Sequence, residues 1–349
     1  MAFRGKIVPL MPTKGIDTSA GPESISDANV VEAQNFRFRN RDWEQRGGYV
    51  GHLAEAVAAA AVTGIAQVSV PIICTGTNIY KESAGHWASV KGALTLDGDG
   101  TNLNSFCELN NLLIGTNGKN PIWKYSVATD PAVVIGGTPP ATAVALLTFY
   151  NRVLALAADG TLSWCAINNP DDWTSATAGS NAPALATGQT GTGLGAVGED
   201  AFLFMSGSIW KFVYTGDSKA PFVFRVHDAV TGASGRQAIV SVPDRAMIFF
   251  ANYQGIYIMQ APGYVPVRIS KALDGAGGLW ESVNKSRLGY ISAARNPVKN
   301  EIWFSVSLSS GSTNSKILVY DYDEQTWTSF TGILASSLGN HTDGNGAVR

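Results

Sequence analysis

Short apolar runs alternate with polar turns along most of this chain, and the same arrangement keeps returning. The clearest copies are VPIICTGTNIYKE (70–82), NLLIGTNGKNPIWKY (111–125), RVLALAADGTLSWC (152–165), AFLFMSGSIWKF (201–212) and AMIFFANYQGIYIM (246–259), with a longer one, NEIWFSVSLSSGSTNSKILVYDY (300–322). Each reads as an apolar strand, a polar turn and a second strand in which Ile or Leu stands beside an aromatic. Runs this short, rich in β-branched and aromatic residues and bounded by Gly, Asn and Asp, predict strands rather than helices. Asn117-Gly118, Asp159-Gly160 and Gln254-Gly255 sit between paired runs, where a hairpin calls for positive φ. Helical periodicity is confined to two possible short segments, 26–35 and 52–61.

The repeat has a period. One central residue from each copy, Ile73, Leu113, Leu154, Leu203, Ile248 and Ile302, gives spacings of 40, 41, 49, 45 and 54 residues. Each copy is preceded by a further short strand: TGIAQVSV, LNSFCELN, VALLTFY, TGLGAVGE, QAIVSVP and RLGYISAA. A seventh such strand, GILASSLG (332–339), comes near the end, and Val348 falls 46 residues after Ile302. Four short strands per unit at this period are the mark of a β-propeller blade. The expectation is an all-β protein, a propeller of about seven four-stranded blades over 35–349, with six blades and a separate N-terminal hairpin as the alternative. An open ring leaves an exposed edge. The hairpin NFRFRN (35–40) and WEQRGGYV (43–50), turning at Asn40-Arg41-Asp42, is expected to complete the last blade together with 332–349.

Residues 1–34, rich in Pro, Gly and Ser, read as an extended arm. The apolar patch Ile7, Val8, Pro9, Leu10 and Met11, with Ile16, favours contact with a neighbouring subunit or partner, a disordered tail being the alternative. Arg37, Arg39, Arg41 and Arg46 fall within ten residues. On a strand Arg37 and Arg39 share one face and Phe36 and Phe38 the other, toward a core. Such a row could meet phosphates or an acidic partner, or form a solvated edge neutralised by Asp42 and Glu44. Ile7, Val8, Leu10, Arg37, Arg39, Arg41 and Arg46 are therefore the candidate contact residues.

Composition narrows the classes. The chain has 349 residues, 45% hydrophobic and 10% aromatic, enough for a large core; charged residues are 15%, below the usual quarter, and the net charge of −2 excludes a grossly basic coat. No export signal or span of about 20 strongly apolar residues is visible, so synthesis in the cytoplasm is expected. The three cysteines, Cys74, Cys107 and Cys165, read as buried thiols. The histidines, His52, His86, His227 and His341, show no metal-ligand spacing. Asp171-Asp172 in NNPDDW suits a turn better than Ca²⁺ or acid–base chemistry, and GTGLGAVG (191–198) is a weak dinucleotide fingerprint without its helix. No nucleophile is matched with a base, so no enzyme, cofactor or metal is expected. Trp87, Trp123, Trp164, Trp173, Trp210, Trp303 and Trp327 recur at blade positions and read as packing residues. VYDYDEQTWTSF is similar to the end of a kelch repeat, once only.

The stretch GIDTSAGPESISDANVVEAQNFRFRNRDWEQRGGYV orders a Gly-rich start, a polar segment, Ala-x-Asn-Phe with alternating aromatics, and Arg-Gly-Gly. Through Asn35, Phe36, Phe38, Arg46 and Gly47, and through Asn169-Pro170-Asp171-Asp172-Trp173, it resembles the tail nozzle proteins of short-tailed phages, also called packaged-DNA stabilisation proteins or tail tubular protein B. The resemblance covers the arm and, loosely, the blades; this chain is smaller and lacks length for a tip. It implies a non-enzymatic virion protein in the tail, six copies in a ring below the head-to-tail adaptor, with double-stranded DNA passing through the assembly's channel without sequence readout and the genome retained and released there. A near-neutral surface suits sliding DNA, because each neutralised phosphate adds affinity. The competing readings are a cellular kelch- or WD-like interaction scaffold and a glycan-binding or glycan-cleaving propeller.

Overall fold

A computed structural model describes residues 14–20, 23–39, 42–46, 53, 57, 60–184 and 188–340. The repeat becomes six four-stranded antiparallel sheets, each from one continuous stretch: 62–89, 105–134, 145–181, 191–228, 239–268 and 292–331, here blades 1 to 6. Within each blade the strands pair in chain order. The first strands of successive blades from 2 to 6 lie against one another and form the inner wall. Ile73, Leu113, Leu154, Leu203, Ile248 and Ile302 all fall on the second strand of their blade, which accounts for their even spacing.

The blade count corrects the expected seven. Residues 332–340 carry no strand, and Val348 lies outside the described residues. The N-terminal hairpin does form, Phe36–Arg39 against Asp42–Gln45 with Phe38 opposite Trp43, but it is a separate two-stranded sheet. The physical reason is in the C-terminal segment. It offers only Ile333, Leu334 and Leu338 among Ala, Ser, Gly and Asn, too little apolar side chain to fill the faces of a seventh blade, and its backbone is held by the Ser292 and Ser305 hydroxyls of blade 6 instead of a ladder.

Hairpin chemistry follows the sequence closely, with one exception. Gly118 and Gly160 take φ of +78° and +88°. The inner-strand turns use Asn for the same left-handed backbone: Asn110 and Asn111 at +54° and +60°, Asn151 at +54°, Asn300 at +55°. Gly255 does not have positive φ. It is needed for space, since a Cβ there would sit 2.3 Å from Ser270 Oγ and 2.4 Å from Arg268 Nε.

The core is divided into clusters between blades. Leu113 and Trp123 meet Ile72 and Ile79 between blades 1 and 2. Ile114 meets Val153 and Cys165 between blades 2 and 3, and Phe149 meets Leu203 and Phe212 between blades 3 and 4. Phe204 meets Ile248 between blades 4 and 5, and Phe249 meets Phe304 and Leu318 between blades 5 and 6. The face of blade 6 turned away from blade 5, with Ile317, Val319 and Phe330, gathers Trp303, Ile333 and Leu338 and no residue of blade 1. The ring therefore closes by different means at one place.

Candidate functional site at the closing seam

The N-terminal arm and the C-terminal segment, as far as they are described, both come to blade 6. The arm runs along the outer edge of blade 6: Ile16 N–H donates to Trp327 O (2.8 Å), Asn35 N–H to Ser329 O (2.8 Å), and Ser329 N–H back to Ala33 O (3.2 Å). Ile16 is buried and pairs with Val30. Residues 26–35 are thus extended rather than helical. The described part of the arm packs on its own chain; Ile7, Val8 and Leu10 lie outside the described residues, as do most of 52–61 and Arg41.

The hairpin then delivers two arginines onto the seam face of blade 6. Arg37 Nε donates to Glu301 Oε1 at 2.6 Å, with side chains only 11% and 3% exposed, and its guanidinium stands 5.0 Å from the Phe330 ring centroid and 5.8 Å from that of Trp303. Trp303 Nε1 donates to the other Glu301 oxygen at 2.7 Å. Arg46 stands 5.4 Å from Phe330 and donates to Asn35 Oδ1 at 3.2 Å. Asn35, at φ +60°, exchanges hydrogen bonds with Thr331 through its side chain. These cations are built into the molecule and do not form an open row. Of the two phenylalanines, which share a face of the strand, only Phe38 is buried, against Trp43; Phe36 is 43% exposed. Of Arg39 only the backbone is described.

The C-terminal segment stitches the inner side. Ser336 Oγ donates to Val62 O of blade 1 at 2.7 Å, Leu338 N–H to Ser292 Oγ of blade 6 at 2.8 Å, and Asn340 Nδ2 to Arg295 O at 2.5 Å. Ser337 Oγ donates to Gln237 Oε1 at 3.1 Å, and Gln237 Nε2 reaches Thr63 O at 2.8 Å and Asn104 O at 2.9 Å. Gln237 belongs to the one-turn 3₁₀ segment Arg236–Ala238 that leads into blade 5. It bridges blades 1 and 2 across the ring and covers one mouth of the propeller's bore.

Two more arginines sit at that mouth. Arg236 reaches the turn after Thr116: a Cβ on Gly118 would lie 2.5 Å from its Nη2. Its Nη1 is buried with no partner, and burial pulls the guanidinium down to about 10. Arg287, on the 3₁₀ segment Lys285–Tyr290, lies 4.4 Å over the Tyr290 ring, and its Nε is also buried without a partner. It lines a cleft of about 400 Å³ beside that mouth, with Thr101, Ser312, Thr313, Leu103 and Leu334. Nearby, Asp97 is held below the usual carboxylate range by the Asn120 amide (2.6 Å) and by Lys119. Sequence reasoning missed Arg236, Gln237 and Arg287; the only local signal is a charged or amide residue just before an inner strand.

The other candidates resolve into structure. Asp171 pairs with Lys124 and accepts Gly136 N–H at 2.6 Å, Asp172 accepts Thr174 and Ser175 N–H, and Trp173 Nε1 donates to Pro170 O. Residues 191–197 are the inner strand of blade 4, not a phosphate loop. All three thiols are free, and burial pushes each up, Cys107 to about 12. His227 Nε2 lies 2.7 Å from Tyr264 O; His52 and His341 fall outside the described residues. Trp123, Trp164, Trp173 and Trp327 are buried among blades, as is Trp280, which the repeat did not single out. Among the described residues no group of three or more His, Cys, Asp or Glu could hold a metal ion, and no helix is long and apolar enough to cross a membrane.

No protein-family model matches this sequence, and no curated protein does. Solved structures share the fold. U3-55K is 11% identical with a TM-score of 0.55, covering 80% of this chain and 85% of that one. The RRP9 WD40 repeats are 12% identical at 0.53, covering 80% and 84%. The WD40 propeller domain of Doa1 is 11% identical at 0.50, covering 83% and 88%. At these identities the likeness is one of fold, and this chain is a six-bladed β-propeller.

Proposed function

We propose that the protein is a non-enzymatic propeller scaffold that binds a partner with the bore mouth beside the closing seam. The carrying observation is the pair of arginines there. Arg236 and Arg287 each keep a buried guanidinium nitrogen without a partner among the described residues, and neither has a carboxylate ion-paired to it there. A buried donor left unpaired costs roughly 1–3 kcal/mol, and the mouth thus holds two cations with no counter-charge of their own among the described residues, which a partner bringing acidic groups supplies. The test is affinity purification of the whole chain from its own cells, in wild-type form and as Arg236→Gln and Arg287→Gln. A partner held by the wild type and lost by either folded variant supports the scaffold. Equal retention by all three removes this mouth from consideration.

A second reading rests on the resemblance to phage tail nozzle proteins. In its favour, Asn35 and Arg46 clasp Thr331 and Phe330 of blade 6, an arrangement that would hold the N-terminal hairpin in place in a ring-forming propeller subunit. On this reading the chain is a virion tail component, self-assembled in six copies against an adaptor, with DNA in the channel of the assembly. Quantitative mass spectrometry of purified particles separates the two: about six copies per particle supports the virion, and absence from particles excludes it.

A further inference from the structure

We infer that the Arg287 cleft is a carboxylate-binding site that takes an acidic side chain, flanked by apolar residues, from a partner protein; the inference rests on the scaffold reading and deepens it. The cation is preorganised. Arg287 Cζ stands 4.4 Å from the centroid of the Tyr290 ring, over its face, and the segment that carries it is pinned by Asn314 Nδ2 donating to Tyr290 O at 2.9 Å and by Arg287 N–H donating to Asn284 O at 3.0 Å. A stacked guanidinium loses little freedom when it binds, and its planar edge matches a carboxylate through two parallel hydrogen bonds.

The walls select among anions. Among the described residues no Asp or Glu lines the cleft. The nearest carboxylate in the loop, Asp99, is turned onto its own turn, accepting from Thr101 N–H at 2.8 Å and Thr101 Oγ1 at 2.5 Å. Ser312 and Thr313 on one side have side-chain hydroxyls with no partner among the described residues. On the other side stand Ala61, Leu103 and Leu334, the last 77% exposed. One cation, two hydroxyls and an apolar flank fit a singly charged carboxylate on a hydrocarbon stem. A phosphate carries nearly twice the charge and would set its remaining oxygens against leucine. The volume of about 400 Å³ admits a side chain with its immediate neighbours, and the cleft opens beside the bore mouth where the partner is proposed to sit.

The experiment is fluorescence anisotropy of the full chain with fluorescein-labelled Ala-Leu-Glu-Leu-Ala and its Gln counterpart. The Glu peptide should bind about tenfold more tightly, as loss of a charge-assisted bidentate pair implies. Arg287→Gln should abolish that preference. Leu334→Glu, at an exposed position where the fold is not at stake, removes apolar flank from both peptides and adds repulsion only toward the Glu peptide, so the tenfold Glu preference should disappear; it decides the matter if Arg287→Gln does not fold. Acetate should displace the Glu peptide better than inorganic phosphate. Equal binding of the two peptides, a preference that survives in folded Arg287→Gln, or stronger displacement by phosphate overturns the assignment. A partner lost on Arg236→Gln alone, with no Glu preference, would overturn the carboxylate site and leave the scaffold standing.

Discussion

The junction between blades 3 and 4 and the seam between blades 6 and 1 solve one problem with different chemistry. At the first, Phe149, Phe212 and Phe222 pack edge-to-face or tilted, with centroids 5.6 to 6.2 Å apart, over Leu203 and Leu154, all buried. At the second, among the described residues, hydrogen bonds from Ser336, Ser337, Leu338 and Gln237 and the ring-stacked Arg37 and Arg46 stand in place of a shared apolar cluster. Apolar packing is non-directional and comes with each repeat. The seam instead joins elements far apart in sequence, and directional polar bonds specify their one register. Local opening favours regions with few buried apolar contacts, so the seam is where the ring gives way first and where a binding surface costs least stability.

The largest effect should come from the apolar side. Phe212→Ala empties a fully buried site and should lower unfolding free energy by about 3–5 kcal/mol in urea titration. Arg37→Met comes next: it strands the nearly buried Glu301 without its cation and should lose about 2–4 kcal/mol by the same measurement, and Arg37→Met with Glu301→Gln should regain part of that. Gln237→Ala removes a bridge to Thr63, Asn104 and Ser337 and should lose about 1–3 kcal/mol, with hydrogen exchange quickening in 62–64 and 336–338 and not in blades 3 and 4. Exchange that quickens evenly around the ring would break the comparison.

The smallest effect is acid. Asp97 is depressed by the Asn120 amide and Asp99 by Thr101. A carboxyl with a lowered folded pKa stabilises above its unfolded value, about 3.9 for Asp, and that stabilisation is lost as pH falls through the folded value. Tm should therefore fall on acidification below about pH 4, and Asp97→Asn should make the fall shallower. A Tm slope unchanged in that variant would show that these carboxylates do not hold the mouth.

Much of this architecture is legible in particular residues. Ile73, Leu113, Leu154, Leu203, Ile248 and Ile302 mark six second strands because alternation and turn chemistry are local properties, settled within one blade. The hairpin at 36–45 is legible for the same reason. The seventh blade was read from GILASSLG by spacing, which cannot register whether a strand has a neighbouring face to bury against. Arg37 looked like an exposed charge because its alternation with Phe36 was visible and Glu301, 264 residues away, was not. Arg287 and Arg236 carry only the weak local mark of a charged residue shortly before an inner strand; that one nitrogen of each goes without a hydrogen bond is decided only once the surrounding loops are in place.

The sequence by itself determined the strand period, the turns and the all-β propeller class, since each depends on residues within reach of one hairpin. Tertiary structure alone decided that the ring has six blades, that the arm and the C-terminal segment both bind blade 6, and that two arginines at one mouth each keep a buried nitrogen without a hydrogen-bond partner among the described residues, because closure and burial depend on contacts between distant parts of the chain.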